Sequence, residues 1–263
     1  VVRENRPLVK IRDLNEKLEG ARENPAIFDD FRKSIARKTR GFKAPEAIIQ
    51  SVEATVRLPF DEAIRNEREL FVECQTSPEA RAQQYFFFAE RQAKKIPDVP
   101  KDTPTRDIEK VGVIGAGTMG GGISMNFLNR GIPVTLLEAT QEALDGGIGI
   151  IERNYASTAK KGRITEDDVK NRMSLLTGSL DYQSLSYVDL VIEAVFKDMD
   201  LKKSVFQAIY DICRTGCVLA SNTSYLTINE IAAVTSRPQD VIGLHFFSPA
   251  NVMRLLEVVR GDQ

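Results

Sequence analysis

The stretch from Lys110 to Glu138, KVGVIGAGTMGGGISMNFLNRGIPVTLLE, constrains this chain more than any other. Val111 to Ile114 is a short apolar, β-branched run, the signature of a buried parallel strand. Gly115, Gly117 and Gly120 follow in G-x-G-x-x-G spacing, and helical sequence continues to about Asn129. In such a loop one glycine makes the tight turn, a second lets backbone approach a pyrophosphate, and a third lets helix pack on strand. The helix N-terminus then offers unpaired N–H groups and a positive dipole end to phosphates. A second strand, Val134 to Leu137, ends in Glu138, about 20 residues after the loop opens. A carboxylate there accepts hydrogen bonds from ribose hydroxyls and repels a 2′-phosphate, so the dinucleotide expected is NAD rather than NADP. A structural glycine-rich turn remains the alternative, and Gly121 and Gly122 make chance spacing easier. Strand, loop, helix, strand and acid in that order is more than such a turn requires.

The rest of the sequence sets limits on what surrounds this unit. A length of 263 residues suits one large or two modest domains, and 42% hydrophobic with 28% charged residues suits an ordinary packed core. A net charge of −1 removes any global electrostatic case for nucleic acid. Cys74, Cys213 and Cys217 do not form a disulfide framework in a chain this long, and CRTGC lacks the further Cys or His that a metal site needs. No metal is expected. No run of 18 apolar residues occurs, so no membrane span is expected. The chain opens Val-Val, without methionine or a signal-like segment, and reads as a piece of a longer protein.

Residues 1–95 read as a helical segment after an irregular lead-in. Asn24 is a plausible cap before Pro25, Ile48, Val52 and Val56 share a helical face, and Ser77-Pro78-Glu79 restarts a helix. The aromatic block Tyr85 to Phe88 is expected in a core or against a partner helix. Residues 96–109 hold three prolines among charges, a linker composition. From residue 110 to 263 strands and helices alternate, with strands expected at Ser174–Thr177, Val188–Glu193, Val218–Ser221, Val241–His245 and Leu255–Val259. Thr165 with Asp168 forms a capping start. This alternation predicts an α/β fold, a Rossmann-type doubly wound parallel sheet.

His245 is the only histidine, and it closes the apolar run VIGLHFF where a parallel strand delivers a side chain to the carboxyl edge of the sheet. Ligands of open α/β sheets bind at that edge. A lone histidine at a strand end is more often structural than catalytic. Twelve residues later Glu257 interrupts the apolar strand LLEVV, where an unpaired buried carboxylate is costly. Pairing the two solves that problem and orients the imidazole as a base. Ser221-Asn222-Thr223-Ser224 brings hydroxyls to the same edge, or caps the following helix, or both.

GVIGAGTMGGGI, ASNTS, GLHFFSPA and MRLLEVV, in this order and spacing, resemble the NAD domain of the 3-hydroxyacyl-CoA dehydrogenases. ERELFVECQTSPEARAQQYFFFAER within the helical segment resembles the tail of the enoyl-CoA hydratase (crotonase) family. The combination is similar to multifunctional fatty-acid β-oxidation enzymes, and the resemblance covers nearly the whole chain. It implies NAD as cofactor and an acyl-CoA thioester as substrate. It implies His245 as catalytic base, Glu257 as the acid orienting it, and Ser224 as the hydroxyl on the substrate's 3-oxygen. Met119, Glu138 and Lys202 are implied cofactor contacts beside Gly115, Gly117 and Gly120, and Lys161 an implied contact of the coenzyme A moiety. It further implies a bacterial cytoplasmic location, or a peroxisomal one in a eukaryote. Two departures stand out. Lys197 replaces an acid usual in the family, and neither the hydratase core nor the family's C-terminal helical domain is in the sequence. Residues 1–100 are therefore not expected to hydrate an enoyl-CoA alone. A noncatalytic nucleotide-binding module and a different β-hydroxyacid dehydrogenase are the rival readings.

Overall fold

The computed structural model describes residues 9–196 and 198–262. Lys197 lies outside them. The chain divides into two compact units with the break between Thr103 and Pro104.

The first unit is helical: α1 (Glu19–Glu23), α2 (Ala26–Ile35), α3 (Ala44–Arg57), α4 (Phe60–Thr76) and α5 (Pro78–Ala93). Ser77 caps α5 by accepting a hydrogen bond from the Ala80 N–H at 3.1 Å, with Pro78 in the first turn. Asn24 does not cap α2. It ends α1 instead, its N–H donating to the Gly20 carbonyl, while Pro25 holds the α2 N-cap without a side-chain bond. The apolar stripe of α3 faces outward. Ile49 and Ala54 are buried, whereas Ile48 and Val52 are 62% and 51% exposed and line a groove of about 530 Å³ with Phe42, Leu70 and Phe71. Tyr85 to Phe88 are likewise exposed, not in a core. Neighbouring helices cover only one side of each of these elements, and α5 contributes no buried residue.

Among its described residues the second unit carries seven strands: β1 (Val111–Ile114), β2 (Val134–Leu137), β3 (Leu176–Ser179), β4 (Leu190–Glu193), β5 (Val218–Ser221), β6 (Val241–Phe246) and β7 (Leu256–Arg260). Their order is β3-β2-β1-β4-β5-β6-β7. Pairing is parallel from β3 through β6. The last strand departs from expectation. β7 runs antiparallel to β6 and forms an edge with all five residues exposed. Strand order reverses between β1 and β4, the switch point where open α/β sheets bind ligands.

Both faces of the central sheet are covered, which explains why β1 and β4 are apolar at every position except the terminal Glu193 and the glycine of β1. On one face Val113, Leu136 and Ile192 pack with Ile123, Leu128, Ile151 and Tyr155, from α6 (Thr118–Leu128) and α7 (Gln141–Lys160). On the other, Ile114, Val191 and Leu219 pack with Phe206, Ile209 and Ile231, from α9 (Met199–Ile212) and α10 (Ile228–Ala232). Between them α8 (Glu166–Ser174) begins with a full capping box, Thr165 and Asp168 exchanging bonds at 2.8 and 3.0 Å. The entry to β1 is fixed by Asp189, whose carboxylate accepts from the N–H groups of Glu109 and Lys110 at 2.8 Å each and pairs with Arg214. Burial opposes its charge, but those bonds prevail and hold the carboxyl below its usual range.

Candidate active site

The glycine loop divides its work as the spacing predicts. Gly115 lies at φ +100°, its N–H donating to the Leu137 carbonyl at 2.9 Å, and a Cβ there would sit 2.9 Å from the Ala194 carbonyl oxygen. At Gly120 a Cβ would fall 1.7 Å from the Gly115 oxygen, so helix and loop meet without room for any side chain. Gly117 faces open space, with nothing within 4 Å of its added Cβ. It is also the N-cap of α6 and makes no side-chain cap bond, which leaves the first-turn N–H groups for a ligand. Open room at Gly117 beside uncapped donors is the cradle a pyrophosphate requires. Met119 is half-buried against the core. The Glu138 carboxylate lies at the loop's mouth, Oε2 accepting from the Ala116 N–H at 2.8 Å.

Beside this loop lies a buried ionic group. Glu193 ends β4 at 0% side-chain exposure, and Lys202 of α9 is 1% exposed, with Nζ 2.6 and 2.7 Å from the two carboxylate oxygens. The Ser221 hydroxyl and the Val195 N–H also donate to Glu193, each at 2.7 Å. Burial of these charges is tolerable because every oxygen is multiply bonded. Lys202, an implied cofactor contact, holds its ammonium on Glu193 in this structure.

His245 and Glu257 stand directly opposite in the β6–β7 ladder, with Nδ1 and Oε2 2.8 Å apart. The imidazole is 18% exposed and also meets the Phe247 ring, with centroids 4.6 Å apart. Glu257 is 54% exposed, which corrects the expectation of a buried carboxylate: β7 is an edge, so water solvates the acid directly. The loop leaving β6 returns to the dinucleotide helix. A Cβ on Gly122 would be 3.1 Å from that of Ala250, and the Asn126 amide donates to the Ala250 carbonyl at 3.0 Å. In the SNTS segment Ser221 turns inward to Glu193, the Thr223 hydroxyl accepts from the Leu226 N–H, and Ser224 is exposed. Lys161 is not brought to this edge. It is the exposed C-cap of α7, 14 residues beyond Gly147, which packs on Ala116. At about 1.5 Å per residue that places it roughly 20 Å along the helix from the loop.

The family described as 3-hydroxyacyl-CoA dehydrogenase, NAD binding domain, matches residues 110–263. The chain belongs to this family. The peroxisomal bifunctional enzyme of Cavia porcellus is 41% identical over 97% of this chain and 36% of its own length. The chain thus spans about a third of the curated relatives it matches. Among solved structures, (S)-3-hydroxybutyryl-CoA dehydrogenase from Ralstonia eutropha superposes with TM-score 0.59 at 38% identity, covering 60% of this chain and 56% of its own. The dehydrogenase part of multifunctional enzyme 1 from C. elegans gives TM-score 0.57 at 33% identity, covering 64% and 39%. The Rossmann-type reading of the second unit accords with these structures.

Sequence reasoning passed over two residues of this dehydrogenase domain. Glu193 was legible as an acid closing the otherwise apolar run DLVIE, but its partner becomes visible only when α9 is laid on the sheet. Asn222 stood inside a motif read for its hydroxyls, yet its amide oxygen accepts from the Phe246 N–H at 2.9 Å.

Proposed function

We propose that this chain carries the dinucleotide-binding part of an enzyme that oxidises (3S)-3-hydroxyacyl-CoA to 3-oxoacyl-CoA with NAD. In this reading it works within a longer bifunctional hydratase/dehydrogenase of fatty-acid β-oxidation. The observation that carries the reading is the His245–Glu257 pair on a strand whose exit loop rests on the glycine-loop helix. NAD held on the N-terminus of α6 supplies the hydride acceptor. Gly117 gives its pyrophosphate room, Gly120 lets α6 close on the loop, Met119 flanks the cofactor, and Glu138 accepts from its adenosine ribose. With Nδ1 turned to Glu257, His245 presents Nε2 to the substrate and takes the 3-hydroxyl proton. Glu257 stabilises the imidazolium so formed, and the Ser224 hydroxyl holds the 3-oxygen as it becomes a carbonyl. The named curated relatives are peroxisomal, and we place this chain in the peroxisome rather than in a bacterial cytoplasm. A hydratase core and a helical domain are the partners this reading requires.

Calorimetric titration with NAD and NADP, beside a turnover assay of the full-length protein on 3-hydroxybutyryl-CoA, tests the reading. NAD should bind more tightly than NADP. Glu138→Ala should weaken NAD by about 10- to 100-fold, the worth of a charge-assisted hydrogen bond, and narrow the gap to NADP. Equal affinity for both cofactors in the unmodified protein would sink the cofactor assignment. NAD binding without turnover would leave a nucleotide-binding module.

A further inference from the structure

The geometry points to Asn222 as a positioning residue for His245, through the backbone of β6 rather than through the ring. Its significance for catalysis rests on the proposed role of His245. The parallel ladder between β5 and β6 ends at Ser221↔Gly243, so the last three residues of β6, Leu244 to Phe246, extend beyond their backbone partner. On that side the Asn222 side chain takes over: Oδ1 accepts from the Phe246 N–H at 2.9 Å and adds one rung to the sheet. On the other side these residues pair only with β7, the exposed edge strand. His245 is therefore held between two points on its inner side, Gly243 and Phe246, and the second depends on one amide oxygen.

Asn222 is itself held. Its N–H donates to the Glu193 carbonyl at 2.8 Å, and the Glu193 carboxylate is fixed by Lys202, Ser221 and Val195. The next residue along β4, Ala194, donates its N–H to the Ile114 carbonyl at 2.8 Å and lays its own carbonyl against Gly115. A set of hydrogen bonds thus crosses the carboxyl edge from Ile114, the residue before the cofactor loop, through Ala194, Glu193 and Asn222 to the residue after His245. Asn222 is the only side-chain acceptor in that set beyond Glu193, and so the place where the spacing between loop and imidazole is adjusted by one substitution.

A single histidine makes the test clean, because the imidazole nitrogens give one set of NMR signals in this chain without cofactor. Asn222→Ala should remove the signature of an Nδ1 proton hydrogen-bonded to carboxylate, leaving an averaged ring. Asn222→Asp keeps an acceptor for the Phe246 N–H and should retain that signature. In the full-length enzyme Asn222→Ala should lower kcat by about 10²-fold, the cost of a misplaced catalytic group, and Asn222→Asp should recover part of it. Unchanged ring signals in folded Asn222→Ala overturn the proposal, as does loss of the signature in folded Asn222→Asp. Should the alanine variant not fold, the aspartate variant alone decides. Normal turnover in folded His245→Gln would end the catalytic reading while leaving the ring-positioning result standing, so the two failures are distinct.

Discussion

His245→Gln in the full-length enzyme should lower turnover by roughly 10²–10⁴-fold, the range typical of a positioned general base. NAD affinity should hold, because the pyrophosphate cradle is formed at Gly115 to Gly120 and the imidazole takes no part in it. Glu257→Gln should also slow turnover, since an amide cannot stabilise the imidazolium as a carboxylate does. The double variant should lose less than the product of the single losses, because the two side chains act as one unit across the β6–β7 ladder. A purely structural pair behaves otherwise: the variants melt earlier, yet each folded molecule turns over normally. Kinetics at saturating NAD beside thermal melts separate the outcomes, and near-normal turnover in a folded His245→Gln enzyme removes the catalytic role.

The second large effect concerns stability. Lys202→Met keeps the length of the side chain but leaves Glu193, at 0% exposure, without its counter-charge. Breaking a buried ion pair from one side costs about 3–5 kcal/mol, because the remaining charge stays desolvated. Glu193→Gln in the same background should be milder than the sum of the two single losses, since it removes the orphaned charge while its oxygen still accepts from Val195 and its NH2 can donate to the Ser221 hydroxyl oxygen. Urea melts of the four proteins measure this directly. A loss under about 1 kcal/mol in Lys202→Met would mean that water reaches Glu193 and that the pair is not the anchor of this edge.

What could be read from sequence divides by the range of the forces involved. The β1 strand, glycine loop, α6 and β2 form one contiguous unit whose steric demands are local, so the glycine roles and the place of Glu138 followed from spacing. The pairing of His245 with Glu257 was also inferable, since a short return joins the two strands. The direction of β7 was not, because an apolar run with one acid fits a parallel or an antiparallel strand equally well. Its edge position then reversed the reason for the pairing: Glu257 is solvated, and its attraction to His245 is not a rescue from burial. Glu193 with Lys202 required the register of α9 on β4, information no periodicity contains. The outward faces of α3 and α5 show the opposite limit, for helical spacing finds an apolar stripe without saying what covers it. Lys161 stands at the far end of α7 from the glycine loop, a distance set by the length of that helix.

The exposed edge strand also sets which part of the proposed active site gives way first. β7 is bonded on one side only, and all five of its residues face solvent. Segments of that kind open at a small fraction of the free energy that global unfolding requires. Glu257 would then leave His245 in brief excursions while the six parallel strands stay closed. Amide hydrogen exchange should therefore be much faster at Val259, paired with Gly243 of β6, than at Val191 in β4, with separate opening energies for the two. Anything that docks along β7 and suppresses those excursions would raise the fraction of time the imidazole has its carboxylate, changing activity without touching the substrate.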